Sequence, residues 1–228
     1  MNYYTIGCTC VTPLYRIVYN YRIVGAEHMR AAAQAGRVVV CTTHSSDLGG
    51  MIVGMAVSIV LKTEPWVVIN IKFRRNLLVN FFLKDMNVIW IKGNDMPGNY
   101  PALRRMRDLL IEGDSRPIII APQGTHNRPD LKDLNLRQGF AIPCLQAARA
   151  GARVHVVPAL DIGATYKSMP APGRRIAVAF GKPIRVHAHD SRASLTGTVL
   201  DNLTILHNMH NMGSDLQTSN IVQTRREI

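Results

Sequence analysis

A chain of 228 residues that is 47% hydrophobic, 18% charged and 6% aromatic can bury a core, which excludes a disordered protein and points to about one domain. Its formal net charge of +12 favours anionic partners: nucleic acid, an anionic membrane face, or phosphate-bearing substrates. The positive residues come singly or in pairs (Arg74-Arg75, Arg104-Arg105, Arg174-Arg175), with no zinc-finger spacing, aromatic-basic RNA motif or helix-turn-helix, so nucleic acid ranks below the other two.

The opening stretch, MNYYTIGCTCVTPLYRIVYNYR, mixes aromatic, aliphatic and basic side chains. That composition suits an interfacial anchor over residues 1–20 and equally a helix packed on a sheet. It holds no clean apolar core or small-residue cleavage site, so no secretory signal is expected. Short β-branched runs then read as strands at 21–25, 37–43, 66–73, 87–92, 117–124, 153–160 and 175–184. Several are apolar throughout, as strands covered on both faces should be.

Helices are predicted between these strands at Leu48–Leu61, Arg75–Asp85, Tyr100–Glu112 and Phe140–Ala150. In the third, Leu103, Met106, Leu109 and Leu110 share a face, with Arg104, Arg105 and Asp108 off it. Leu48–Leu61 is the longest uncharged run, yet shorter than the ~20 residues a membrane-spanning helix needs. It is either a buried helix or one that dips into an interface. Beyond about Val186 the chain turns polar, and Leu195, Val199, Leu203 and Leu206, with Leu200 alongside, mark a last amphipathic helix. The end after Gly213 is expected to fray. Alternating strands and helices predict an α/β domain over 21–185, a mainly parallel central sheet covered by helices on both faces. Residues 186–228 form the C-terminal helix and tail.

In such a sheet, chemistry collects in loops beyond the strand C-termini. Two loops stand there. In CTTHSSDLGG (41–50), His44 and Asp47 lie three apart in a strand-to-helix turn. A histidine activates a hydroxyl when one ring nitrogen is free to take the proton and a carboxylate holds the other. The alternative reading has Ser45 or Ser46 capping the next helix, with Asp47 in its first turn. In APQGTHNRP (121–129), Gly124 permits a sharp turn, and Thr125, His126 and Arg128 offer donors to an anion. The alternative is an ordinary polar turn.

Other residues carry weaker signals. Cys8, Cys10, Cys41 and Cys144 form neither a disulfide framework nor a paired zinc pattern, which favours a reducing cytoplasmic setting. The pairs His187/His189 and His207/His210 lack a Cys or acid cluster to complete a metal site, so no metal is expected. Ser45 and Ser46 lack the Gly-x-Ser-x-Gly elbow of a hydrolase.

Taken in order, the pieces form a more specific pattern. YRIVGAEHMRAAAQAGRVVVCTTHSSDLGG resembles the entry of the glycerolipid (lysophosphatidic-acid type) acyltransferase superfamily: a strand leading to Gly-x-Glu, a short helix, an apolar strand, then Asn-His-x-Ser with an aspartate soon after. IKFRRNLLVNFFLKDMNVIWIKGND is similar to that superfamily's second block, and PIIIAPQGTHNRPDLKDLNLRQGFAIPCLQAARAGARVHVVPAL to its third and fourth, where Phe-Pro-Glu-Gly-Thr-Arg-Ser leads to a helix and a strand reading Val-Pro. The resemblance spans roughly Tyr21 to Ile184.

The resemblance implies a histidine that takes the proton of an acceptor hydroxyl, which attacks an acyl thioester of coenzyme A or acyl-carrier protein. It assigns His44 as that base, Gly124 and Thr125 to the acceptor's phosphate loop, and no cofactor beyond the thioester co-substrate. The superfamily's aspartate position is Gly49 here, so Asp47 is the nearby acid. The loop glutamate reads Gln123, the loop arginine His126, and the second-block arginine Gly93, with Lys92 and Arg128 as the nearest replacement charges. A histidine, mostly neutral at pH 7, gives up the permanent bidentate fork of an arginine.

Three readings follow. The first is a cytoplasmic, peripherally membrane-associated acyltransferase acting on a lyso-lipid or related acceptor. His44 and Asp47 are catalytic, and Gln123, Gly124, Thr125, His126, Arg128 and Lys92 line the acceptor site. The second is a catalytically silent relative that binds lipid or a protein. The third is a basic nucleic-acid-binding protein.

Overall fold

The computed structural model describes residues 20–43, 49–75, 86–93, 95–123, 135–163, 173 and 176–224. The fold grows outward from β2 (Arg37–Thr42). Its side chains alternate between two cores, as the two-residue strand period requires. Val39 and Cys41 enter one core; Val38 and Val40 enter the other. No face of β2 is left for water, so nearly every residue of the run is apolar.

Among the described residues the sheet has eight strands: β1 (Arg22–Val24), β2, β3 (Trp66–Asn70), β4 (Val88–Ile91), β5 (Ile118–Ile120), β6 (Val154–Ile162), β7 (Ala177–Phe180) and β8 (Ile184–Arg185). Their order is β1-β7-β6-β2-β5-β3-β4, with β8 pairing β6 beside β7. Strands β2 to β6 run parallel, while β7 and β8 run antiparallel to β6, and β1 follows β7. The mainly parallel sheet expected from the sequence is thus present, with an antiparallel flank.

Helices cover both faces. On one side lie α1 (Ala26–Ala35) and α2 (Gly49–Leu61), packing Met29, Ala32, Ile52, Val53, Ala56 and Val57 onto Val38, Val40, Ile119 and Val157. On the other lie α3 (Met96–Ile111), α4 (Ala141–Arg149) and α5 (Arg192–Thr224), burying Met106, Leu110, Cys144, Leu195, Val199 and Leu203. Each such aliphatic side chain, fully buried, contributes about 1.5–3 kcal/mol. Of the two readings of Leu48–Leu61, the described part is a buried helix: α2 hides most of its circumference, with Met51 exposed. Among the described residues, no helix is long and apolar enough to cross a membrane.

The structure departs from the sequence pattern at three places. The run at 66–73 is a strand only to Asn70 and then tightens into a 3-10 turn, Ile71–Arg75. Most of the helix predicted at Arg75–Asp85 lies outside the described residues. The chain past Gly213, expected to fray, stays helical to Thr224. A single glycine costs a helix only about 1 kcal/mol, and no proline follows.

The third is the run 175–184, which splits into β7 and β8 around Gly181–Pro183. The cause is Pro158 in β6. Its carbonyl accepts from the Gly181 N–H at 2.8 Å, so Pro158 turns its hydrogen-bonding edge toward β7 and β8. Proline has no N–H to give on that side. The partner strand is interrupted where no donor exists, and pairing resumes at Val156↔Ile184.

Gly25, between β1 and α1, has φ +72°, and a Cβ there would stand 2.1 Å from the Phe180 carbonyl oxygen. Both the backbone region and the space demand glycine. Gly25→Ala is expected to lower the unfolding free energy by about 2–3 kcal/mol, read as an earlier urea midpoint at unchanged m-value.

Candidate active site

Because β2 to β6 are parallel, their C-termini (Thr42, Asn70, Ile91, Ile120 and Ile162) emerge on one edge of the sheet. β2 stands between β5 and β6 there, with β3 and then β4 beyond β5. At the ~4.8 Å spacing of adjacent strands, the end of β4 lies about 14 Å from that of β2. A site on this edge can therefore hold a reacting centre at β2 and a separate binding group further along.

At the end of β2, the Thr43 N–H donates to the Ala159 carbonyl at 3.2 Å, and the Thr43 hydroxyl donates to Asp161 Oδ1 at 2.5 Å. Both side chains are buried, Asp161 at 5% exposure. Asp161 is the acid of a strand whose neighbours are nearly all apolar, VHVVPALDI. The apolar pattern alone closes this strand at residue 160 and leaves Asp161 without a role. A lone acid ending an apolar strand is the signal that could have found it.

At the end of β5, the chain turns through Ala121 and Pro122 to Gln123, which is buried. The Arg137 N–H donates to the Pro122 carbonyl at 2.9 Å, so the chain that leaves the sheet here returns to the same point. Since Cys41 faces Ile120 in the ladder, the two candidate loops start from adjacent strands.

At the end of β4, Lys92 is exposed while its backbone is fixed. Its N–H donates to Asn99 Oδ1 at 2.6 Å, and its carbonyl accepts from the Asp95 N–H at 2.9 Å. Asp95 caps α3 by accepting from the Gly98 N–H at 2.9 Å. β3 ends in a second basic group that sequence reasoning does not assign to the site. Lys72 and Arg74 are exposed on the 3-10 turn, with Lys72 Nζ 5.1 Å from the centre of the Phe73 ring. Only the sheet order reveals that these cations lie between β5 and β4.

Of the predicted site residues, Gln123 and Lys92 are placed on this edge, whereas His44, Asp47, Gly124, Thr125, His126 and Arg128 lie outside the described residues. Gly49, which stands where the resembled motif carries its aspartate, is the buried first residue of α2.

Cysteine chemistry is disfavoured at the nearest thiols. Burial pushes Cys41 well above the ordinary thiol range, reinforced by the nearby Cys144, and pushes Cys144 up to about 12. Neither supplies a thiolate near neutral pH. Away from this edge, His187 and His189 stack with ring centres 5.4 Å apart in the turn before α5, where the His187 N–H donates to Asp190 Oδ2. That pair serves a local turn. Among the described residues, no three His, Cys, Asp or Glu side chains group as metal ligands do.

The chain matches the model of the family described as Acyltransferase over residues 20–160. No curated protein matches it by sequence. Among solved structures, it is similar to the 1-acyl-sn-glycerophosphate (LPA) acyltransferase PlsC from Thermotoga maritima, with TM-score 0.60 and 16% identity over 84% of this chain and 72% of that one. At that identity, the likeness concerns the fold.

Thr43→Val removes the hydroxyl bonded to a buried carboxylate and leaves the acid short of a donor. Unfolding free energy is expected to fall by about 2 kcal/mol in urea melts. An unmoved midpoint would show that this bond contributes nothing net.

Proposed function

Because the chain belongs to the Acyltransferase family, matched over residues 20–160, we propose that its fold moves a fatty acyl group from an acyl thioester to a hydroxyl of a lyso-lipid or related acceptor. His44 is the general base in this reading, and acyl-coenzyme A or acyl-carrier protein is the co-substrate. The observation that carries it is the coincidence of that family match with the parallel sheet edge. The strand leading to His44 and the strand leading to Gln123–Arg128 end side by side there.

The reaction conserves atoms and charge. His44 accepts the proton of the acceptor hydroxyl as its oxygen bonds to the thioester carbonyl carbon. The tetrahedral intermediate collapses with cleavage of the C–S bond. The leaving sulfur takes a proton from the imidazolium, giving an ester and a free thiol. Asp47 is the acid nearest His44 in sequence for orienting the ring. Gln123, Gly124, Thr125, His126 and Arg128 line the acceptor site, and the exposed cations Lys72, Arg74 and Lys92 offer positive charge to an anionic headgroup.

The product of the reaction and one substrate are lipids, so we place the protein at the cytoplasmic surface of a membrane as a peripheral enzyme. Support comes from the net charge of +12 and from exposed Met51 and Ile71 at the same edge as Lys72 and Arg74. Exposed apolar side chains together with cations on one edge suit an anionic headgroup layer.

His44→Ala is expected to reduce thiol release from acyl-coenzyme A by at least about 10³-fold with the melting curve unchanged. The assay runs against phosphorylated and unphosphorylated lyso-lipid acceptors, and full turnover in this variant would remove His44 as the base. Wild-type protein that releases no thiol with any acceptor, yet still binds vesicles, would instead be a silent relative. Sedimentation with phosphatidylglycerol vesicles is expected to weaken with added salt and in Lys72→Glu/Arg74→Glu, and equal binding to neutral vesicles would count against the surface assignment.

A further inference from the structure

The edge of the sheet opposite the candidate active site carries a cleft of about 360 Å³ that the proposed reaction does not use. Its walls are the end of α1, the first residue of β2, the end of α3 and the turn into β6. β2 runs from Arg37 to Thr42, so at ~3.3 Å per residue the cleft lies about 17 Å from the active edge. Leu110, Ile111 and Ala152 give it an apolar lining. Gln34, Arg37, Ser115 and Arg153 supply the polar part.

Two guanidinium groups share this small space. The Arg37 N–H donates to the Arg153 carbonyl at 2.7 Å, so the two residues are backbone neighbours. Gly36 permits the approach, since a Cβ there would stand 2.2 Å from the Arg153 carbonyl oxygen. Like charges this close repel, and an anion between them removes the repulsion. Among the described residues the protein supplies none. Asp114, beside Ser115, is paired with Arg116, and Asp108 with Arg107. Glu112 is exposed and does not line the cleft.

A second employment for an arginine here would be to close a helix C-terminus. The chain itself does that. The Gly36 N–H donates to the Ala32 carbonyl, the Gly113 N–H to Leu109 and the Ala152 N–H to Ala147. Arg149 makes the contrast, since its Nε donates to the Ala188 carbonyl at 3.0 Å. Arg37 and Arg153 have no such bond, and neither do the side chains of Gln34 and Ser115, among the described residues.

We infer that this cleft is a binding site for a small organic phosphate, separate from the acceptor site. Phosphate oxygens match the guanidinium fork, and two arginines balance a dianion where one leaves a charge over. The Ser115 hydroxyl and the Gln34 amide add hydrogen-bonding capacity, and Leu110 and Ile111 face the ligand's apolar body. A volume near the lower end of the ~300–1,000 Å³ span of ligand sites suits a nucleoside monophosphate or a phospholipid headgroup. The inference does not depend on the acyltransferase reading.

The test is an NMR titration of the isotope-labelled protein with AMP in one arm and glycerol 3-phosphate in the other. It is followed on the backbone amides of Gly36, Ser115 and Ala152. At low salt, at least one arm is expected to bind with a Kd of about 1 mM or tighter. Response to AMP identifies a nucleotide site, and response to glycerol 3-phosphate a headgroup site. Arg37→Gln/Arg153→Gln is expected to weaken binding by about tenfold or more. Lys72→Glu/Arg74→Glu, on the far edge, is expected to leave it within about twofold.

Silence in both arms overturns the inference, as do shifts that sulfate reproduces at equal ionic strength. An unaltered affinity in the double arginine variant overturns it too, and so does loss of binding in Lys72→Glu/Arg74→Glu. Where the double arginine variant does not fold, the wild-type shifts decide. Perturbation at Gly36, Ser115 and Ala152 supports the site, and perturbation confined to Lys72, Arg74 and Lys92 overturns it.

Discussion

The register of β2 between its two parallel neighbours is the constraint from which the rest follows. Facing Ile118–Ile120 on one side and Val154–Ala159 on the other, β2 has no exposed edge, and its alternating side chains are locked into two separate cores. A slip of one residue would send Val38 and Val40 into the space of Val39 and Cys41 and reverse the whole strand. Because that slip is prohibited, the point at which the chain leaves the sheet after Thr43 is fixed to within a residue. So is its partner across the gap on β6.

Charge is distributed accordingly. The helix that follows the His44 loop, α2, is uncharged and almost wholly buried, so the side of the sheet beneath it is a low-dielectric wall. Positive side chains sit instead toward the other end of the same edge, at Lys72, Arg74 and Lys92. A proton-transfer centre profits from the first environment, where an ion pair is strong and its competitors are few. A phosphate or headgroup profits from the second, where cations remain hydrated and accessible. The two environments share one sheet edge, with β3 and β4 two and three positions from β2 in the order.

Much of this was legible in the sequence, for identifiable reasons. The β-branched runs at 37–43 and 153–160 are apolar because both faces are covered, and that composition is visible without coordinates. The stripe of Leu103, Met106, Leu109 and Leu110 marks α3 by its period, and Leu195, Val199 and Leu203 mark the start of α5. What escaped was decided by neighbours distant in the chain. α1 was expected as the short helix of the resembled pattern, but not its framing by Gly25 and Gly36 through their close approach to Phe180 and Arg153. Asp161 is an unfavourable strand residue on local grounds, and its bond to Thr43, 118 positions away, is a contact the local sequence does not display. Lys72 and Arg74 read as scattered surface charge until the strand order sets β3 between β5 and β4.

The gap that Pro158 opens in the antiparallel flank has a consequence for how this architecture can vary. Between Phe180 and Ile184 the chain spans a stretch of β6 that has no donor to give, so the connection there owes nothing to the ladder beyond the single Gly181 bond. A longer or differently shaped link at this point would leave the pairing of both flanking segments, and all five co-directional strands, undisturbed. One imino acid in the middle of the sheet thereby makes a seam, where the framework can accept remodelling without any change reaching the opposite edge of β2.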